Sequence, residues 1–140
     1  MRLEKRFEID RSRDDVVALL CRDETLIGLF PDNETEIVDS QGDERTTRTR
    51  YTALGREGVA TFRFTFLLDG NVRFEKVCDG RVWSELRGEV RVEEEGERSR
   101  IEIEMAGHTK PFVPEFAIKG PMEDQIEQMA TGLRELLAAR

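Results

Sequence analysis

From residue 34 to about residue 107 the chain alternates apolar and polar side chains with a period of two. That alternation constrains the fold more than any other feature, because side chains of a strand point to opposite faces in turn. "VATFRFTFLL", from Val59 to Leu68, is the clearest example: Phe62, Phe64 and Phe66 share one face, and Thr61, Arg63 and Thr65 share the other. The stretch divides into six predicted strands at 34–40, 44–54, 58–69, 71–78, 81–94 and 97–107. The breaks fall at Gly42-Asp43, Gly55 to Gly58, Asp69-Gly70, Asp79-Gly80 and Gly96. "DGN" and "DGR" are strong hairpin signals. Connections this short force neighbouring strands to run antiparallel and leave no room for a crossover helix. The middle of the chain is therefore predicted to be a meander.

The flanks have a different period. "RLEKRFEI" at 2–9 places Leu3, Phe7 and Ile9 on one side, with Lys5 between them, and reads as a first strand. In "DRSRDDVVALLCRDETLIGLFPD", Ser12 with Asp15 three residues later resembles a capping box. Val16, Val17, Leu19 and Leu20 fit a short helix, and Asp23 opens a second, "DETLIGLF", that stops before Pro31. At the other end, Met122, Ile126, Met129, Leu133, Leu136 and Leu137 recur in steps of three and four, which is one helical stripe. Pro121 suits a first-turn position. Phe112, Phe116 and Ile118 read as an earlier turn of the same helix, kinked at Gly120-Pro121; the sequence leaves open whether the helix runs through.

Following parity strand by strand separates two faces. The oily one carries Ala60, Phe62, Phe64, Phe66 and Leu68, then Val72, Phe74 and Cys78, with Lys76 intruding. Val82, Leu86, Val90 and Val92 continue it, with Ser84 and Gly88 sharing that face, followed by Ile101, Ile103 and Met105. In 44–54 the better face is Thr47, Thr49, Tyr51 and Ala53. The wet face mixes arginine and glutamate, among them Arg48, Arg63, Arg73, Glu75, Arg91, Glu102 and Glu104, and reads as solvated. A sheet with one wet face must cover the other. Burying each phenylalanine is worth about 1.5–3 kcal/mol. The only long amphipathic element is the C-terminal helix. The expected fold is α+β: a seven-stranded antiparallel curved sheet wrapped around a long C-terminal helix, with two short helices between strands 1 and 2.

The chain has 140 residues, which suits a single domain over 1–140. A net charge of −8 disfavours phosphate backbones, and the basic residues alternate with acids rather than cluster, so no nucleic-acid partner is expected. No apolar run reaches the roughly 18–20 residues of a membrane span. The first residues lack an apolar signal-peptide core, which leads to an expected cytoplasmic location. Cys21 and Cys78 read as free thiols. With no CxxC, no HExxH and one histidine, neither a metal site nor a cofactor is expected.

The order strand, two short helices, six-strand meander and long terminal helix resembles the helix-grip fold of the START-like superfamily, also called SRPBCC. Its lipid-transfer and polyketide cyclase/dehydrase members share that order. The resemblance spans the whole chain and is carried by "RLEKRFEIDRSRDDVVALL", by "RVWSELRGEVRVEEEGERSRIEIEM" and by the Met122–Leu137 stripe. It implies a cavity between the concave sheet and the long helix that takes a hydrophobic molecule. Residues expected to line it are Tyr51, Phe62, Phe64, Phe66, Phe74, Lys76, Ser84, Leu86, Ile103, Met122, Ile126 and Met129.

Several residues admit two readings. Lys76 either snorkels out at its strand end or anchors an acidic head group; Lys5 poses the same pair. Tyr51 either lines the cavity or orients a ligand through its hydroxyl, and Ser84 is a weaker case of the same kind. His108, in "AGHTKPF", sits in the connection to the last helix; as a general base it would need a positioned partner such as Glu115. Tyr51 and His108 are the weak catalytic candidates. Trp83 falls on the wet face by strict parity, so either a bulge turns it inward or it packs under a loop. The preferred function is binding of a hydrophobic small molecule. The alternatives are a cyclase, aromatase or dehydratase acting through Tyr51, Lys76, Ser84 and His108, or a protein-interaction or chaperone-cofactor module. A homodimer paired through an edge strand is a further expectation.

Overall fold

In the computed structural model, residues 1–53, 55–78 and 82–138 are described. The element order is β1 (Arg2–Ile9), α1 (Arg13–Leu20), α2 (Asp23–Ile27), β2 (Glu34–Gln41), β3 (Glu44–Ala53), β4 (Arg56–Phe66), β5 (Val72–Lys76), β6 (Trp83–Glu95), β7 (Arg98–Thr109) and α3 (Glu115–Ala138). The seven strands form one sheet in the order β1-β7-β6-β5-β4-β3-β2, every neighbour antiparallel. This is the expected meander, with β1 returning to pair with β7 and β2 left at the opposite edge. The expected Asp79-Gly80 turn lies outside the described residues.

Parity holds through most of the sheet. Phe62, Phe64 and Phe74 on β4 and β5, Val90 and Val92 on β6, and Ile101, Ile103 and Met105 on β7 are all buried. Opposite them α3 buries Met122, Ile126, Met129, Leu133 and Leu137, the stripe read from the sequence. The helix is continuous through Gly120 and Pro121, which answers the question the sequence left open.

Parity fails at the start of β6. The pairing with β7 shifts register between Trp83 and Glu85, so Ser84 is an extra residue in the ladder. A bulge of this kind turns over the alternation on one side of it. Trp83 is therefore buried, and Ser84 stands on the surface, where its hydroxyl donates to the Thr109 carbonyl at 3.1 Å. Expected as part of the oily face, Ser84 is on the other side of the strand.

Strand ends also differ from the expectation. β4 begins at Arg56 and ends at Phe66, so Leu68 lies in the following turn and is fully exposed. β7 runs on to Thr109 and takes in His108, which pairs with Glu85. Phe112 precedes α3 rather than joining it, and it and Phe116 are 96% and 84% exposed. Before Met122, α3 has no neighbour to bury its apolar residues fully; Ile118 alone is half-buried there.

The two short helices close one end of the curved sheet. Ser12 caps α1 by accepting from the Asp15 amide, as its spacing predicted. Val16 and Leu20 from α1, Leu26 from α2, and Leu29 and Phe30 just after it enter the core. Arg13 ties α1 to the backbone carbonyls of Asp69 and Val92. Gly132 on α3 rides directly on this plug: a Cβ there would lie 2.7 Å from the Leu29 carbonyl oxygen. Among the described residues, the opposite end, formed by the ends of β3, β5 and β7 and the start of α3, carries no such plug.

Candidate functional site

The concave side of the sheet brings four aromatic rings together. Phe62 lies 6.1 Å from Phe30, 6.2 Å from Phe64 and 6.3 Å from Phe74, centroid to centroid, and Phe64 and Phe74 are 5.9 Å apart. The ladder pairs Phe64 directly with Phe74 across β4 and β5. Phe30 comes from the segment after α2, more than thirty residues away in sequence. Sequence reasoning left Phe30 out of the site; its one local signal was an apolar side chain immediately before Pro31, at a helix end.

Met122, Ile126 and Met129 of α3 are buried in the same core cluster as these rings. The helix backbone approaches chiefly β1 and β7. The space between α3 and the central strands is therefore filled by side chains, and the methionines among them are unbranched and adaptable. Leu86 and Ile103 complete this interior and are likewise buried. Of the expected lining, Phe62, Phe64, Phe74, Leu86, Ile103, Met122, Ile126 and Met129 are thus brought together.

Four expected residues stand apart. Phe66 is half-buried at the plugged end, with the Arg45 guanidinium over its ring at 5.6 Å. Tyr51 is 36% exposed at the unplugged end, its ring lying on the backbone of Gly58, its ladder partner. Lys76 ends β5, half-buried, paired with Phe62 and therefore on the concave side. Ser84 lies outside, as described above. His108 is exposed on the outer face beside Glu85, the opposite face of the sheet from Tyr51.

Among the described residues four cations share the concave parity of the strands, Lys5, Arg45, Arg56 and Lys76, and two are tied to helix carboxylates. The Lys5 ammonium reaches Glu127 of α3 at 2.7 Å, and its hydrogen bond and charge hold the Glu127 carboxyl below the usual range. Arg45 reaches Asp23 of α2 at 3.2 Å. Lys76 and Arg56 both lie toward the unplugged end, Lys76 half-buried beside Phe62 and Arg56 exposed at the start of β4. Trp83 is buried there too, its ring against the backbone of Gly107. Around that end Val59, Val77, Phe112 and Phe116 are exposed apolar residues.

The outer face is chemically different. A groove of about 630 Å³ around Gly88 is lined mainly by charges of both signs, including Arg63, Arg73, Arg87, Glu75 and Glu89. Those charges pair across strands, as Arg63 does with Glu75 at 3.3 Å. Among the described residues no group of three or more His, Cys, Asp or Glu is placed to hold a metal ion. None of the helices described is long and apolar enough to cross a membrane.

No protein-family model matches the chain, and no curated protein matches it in sequence. Solved structures match its shape closely. The Zhui aromatase/cyclase from Streptomyces sp. R1128 is 13% identical with a TM-score of 0.77, covering 99% of this chain and 91% of that one. A START superfamily protein from Mycobacterium smegmatis is 15% identical with a TM-score of 0.75, covering 97% and 96%. The chain has the START-like, helix-grip fold. A STAR-related lipid transfer protein from Xanthomonas axonopodis shares it at 17% identity and a TM-score of 0.72, covering 99% of this chain and 86% of that fragment. At such identities the likeness concerns the fold, and one fold of this kind carries many activities.

Proposed function

We propose that the chain binds a hydrophobic small molecule between the concave sheet and α3, admitted at the end that α1 and α2 leave unplugged. The observation that carries this reading is the ring cluster of Phe30, Phe62, Phe64 and Phe74, which shares one apolar core with the methionines of α3. An apolar lining with few polar groups is the usual character of a small-molecule site, and the unbranched methionines that fill this interior can move aside to make room. The same shape in a STAR-related lipid transfer protein and in an aromatase/cyclase adds support. Binding without chemistry is preferred because Ser84 and His108, two of the four polar groups that a cyclase reading needs, stand on the outer face.

Trp83, the only tryptophan, is a built-in reporter at the unplugged end. Titration with apolar probes of graded size is expected to change its fluorescence saturably, with one molecule retained in native mass spectrometry. Met129→Trp, which adds bulk beneath the rings, is expected to abolish the change while the protein remains folded by circular dichroism. If no probe of any size is retained or alters Trp83, the reading is wrong.

A further inference from the structure

Resting on that binding reading, we propose that the ligand is an anionic amphiphile, its apolar chain among the rings and its negatively charged head held by Lys76 at the unplugged end.

The argument begins with where the charge sits. Lys76 follows Phe74 by two residues on the same face and pairs with Phe62, so its stem starts at the edge of the ring cluster. Lys76 as a whole residue is half-buried. A cation partly removed from water gains more from a nearby anion than one in bulk solvent. Two other cations of the concave face fasten helices to the sheet, Lys5 through Glu127 and Arg45 through Asp23, and Arg56 stands exposed at the start of β4. Lys76 lies away from both of those fastenings. It is engaged by a neighbour of its own, which an incoming carboxylate or phosphate would replace.

The chain's use of lysine points the same way. Of 22 basic residues 18 are arginine, and the outer face pairs arginines with glutamates throughout. Three of the four lysines, Lys76, Lys110 and Lys119, come at the unplugged end. Lys110 directly follows β7 and Lys119 lies in the opening turns of α3. Glutamates are present as well, yet Glu115 faces the Met1 ammonium at 3.8 Å and Glu123 faces Lys119 at 4.0 Å. An approaching anion thus meets a cluster of lysines at this end, of which Lys119 already faces Glu123.

The test compares dodecanoate with its methyl ester and with dodecanol near neutral pH, read by Trp83 fluorescence and native mass spectrometry. Dodecanoate is expected to bind about tenfold tighter than the ester, the gain from one charge-assisted contact. Lys76→Met is expected to bring the acid-to-ester affinity ratio close to one, and Lys76→Arg to keep it high. Equal affinity for acid and ester, or a ratio unmoved by Lys76→Met, overturns the proposal and leaves the binding reading standing. If acid, ester and alcohol all fail to bind, the binding reading itself falls, and this inference with it.

Discussion

Single residues in this sheet are held by close approaches that differ in how much they can yield. A Cβ on Gly88 would lie 2.3 Å from the Glu104 carbonyl oxygen and 2.3 Å from the Phe74 ring, both fixed by the ladder. Gly88→Ala is therefore expected to destabilise by about 1–3 kcal/mol, the usual cost of overpacking, in urea titration. The atoms nearest a Cβ on Gly58 belong to the Tyr51 side chain, at 2.5 Å, and that partly exposed side chain has room to swing into solvent. Gly58→Ala is expected to stay within about 0.5 kcal/mol of the parent. Phe62 touches three other rings and is almost fully buried. Phe62→Ala is expected to cost about 3–5 kcal/mol, with a bound apolar molecule recovering part of the loss in thermal melts.

Among the elements, α3 carries a local cost. Pro121 sits inside the helix, where it removes an amide donor to the preceding turn. A proline there costs about 3 kcal/mol relative to alanine. Its stiffening of the unfolded chain returns at most about 1 kcal/mol. Pro121→Ala is expected to stabilise by about 2 kcal/mol and to raise the helical circular dichroism signal. β2 presents the opposite case, an edge strand open to pairing with another copy. Its exposed Glu34, Glu36 and Asp39 would bring like charges together across such a pair, a common protection of sheet edges. Replacing the three with their amides is expected to increase self-association in sedimentation velocity at equal concentration.

Across the whole molecule the outer face of β1, β7 and β6 is one ion-pair lattice. Glu104 meets Arg91 at 2.8 Å and Arg2 at 2.9 Å, while Glu102 meets Arg6, Arg91 and Arg100. The hydrogen bond from Arg91, and after it the one from Arg2, hold the Glu104 carboxyl below its usual value of 4.5. A carboxyl lowered on folding stabilises the protein above its unfolded pKa and loses that contribution as the pH falls through the lowered folded value. Melting temperature is thus expected to fall as the pH drops below about 4.5, and less steeply in Glu104→Gln than in the parent. Added salt is expected to narrow the difference, since the lattice lies partly in solvent.

Sequence alone settled the element order, the antiparallel meander and the identity of most inward side chains, because strand parity and helical spacing are local properties. It reached the ring ladder of Phe62 and Phe64 and the stripe from Met122 to Leu137 on that basis, and the resemblance to the helix-grip fold followed from the order. Tertiary structure decided the rest. Ser84 and Trp83 exchange faces at a bulge, which depends on how β6 registers against β7 and leaves no mark in composition. Phe30 joins Phe62 only when the plug of α1 and α2 folds over the sheet. Leu68, Phe112 and Phe116 are as apolar as the buried rings, yet they face solvent because, among the described residues, no other element is packed over them. Burial is a property of neighbours distant along the chain, and a local pattern carries no record of them.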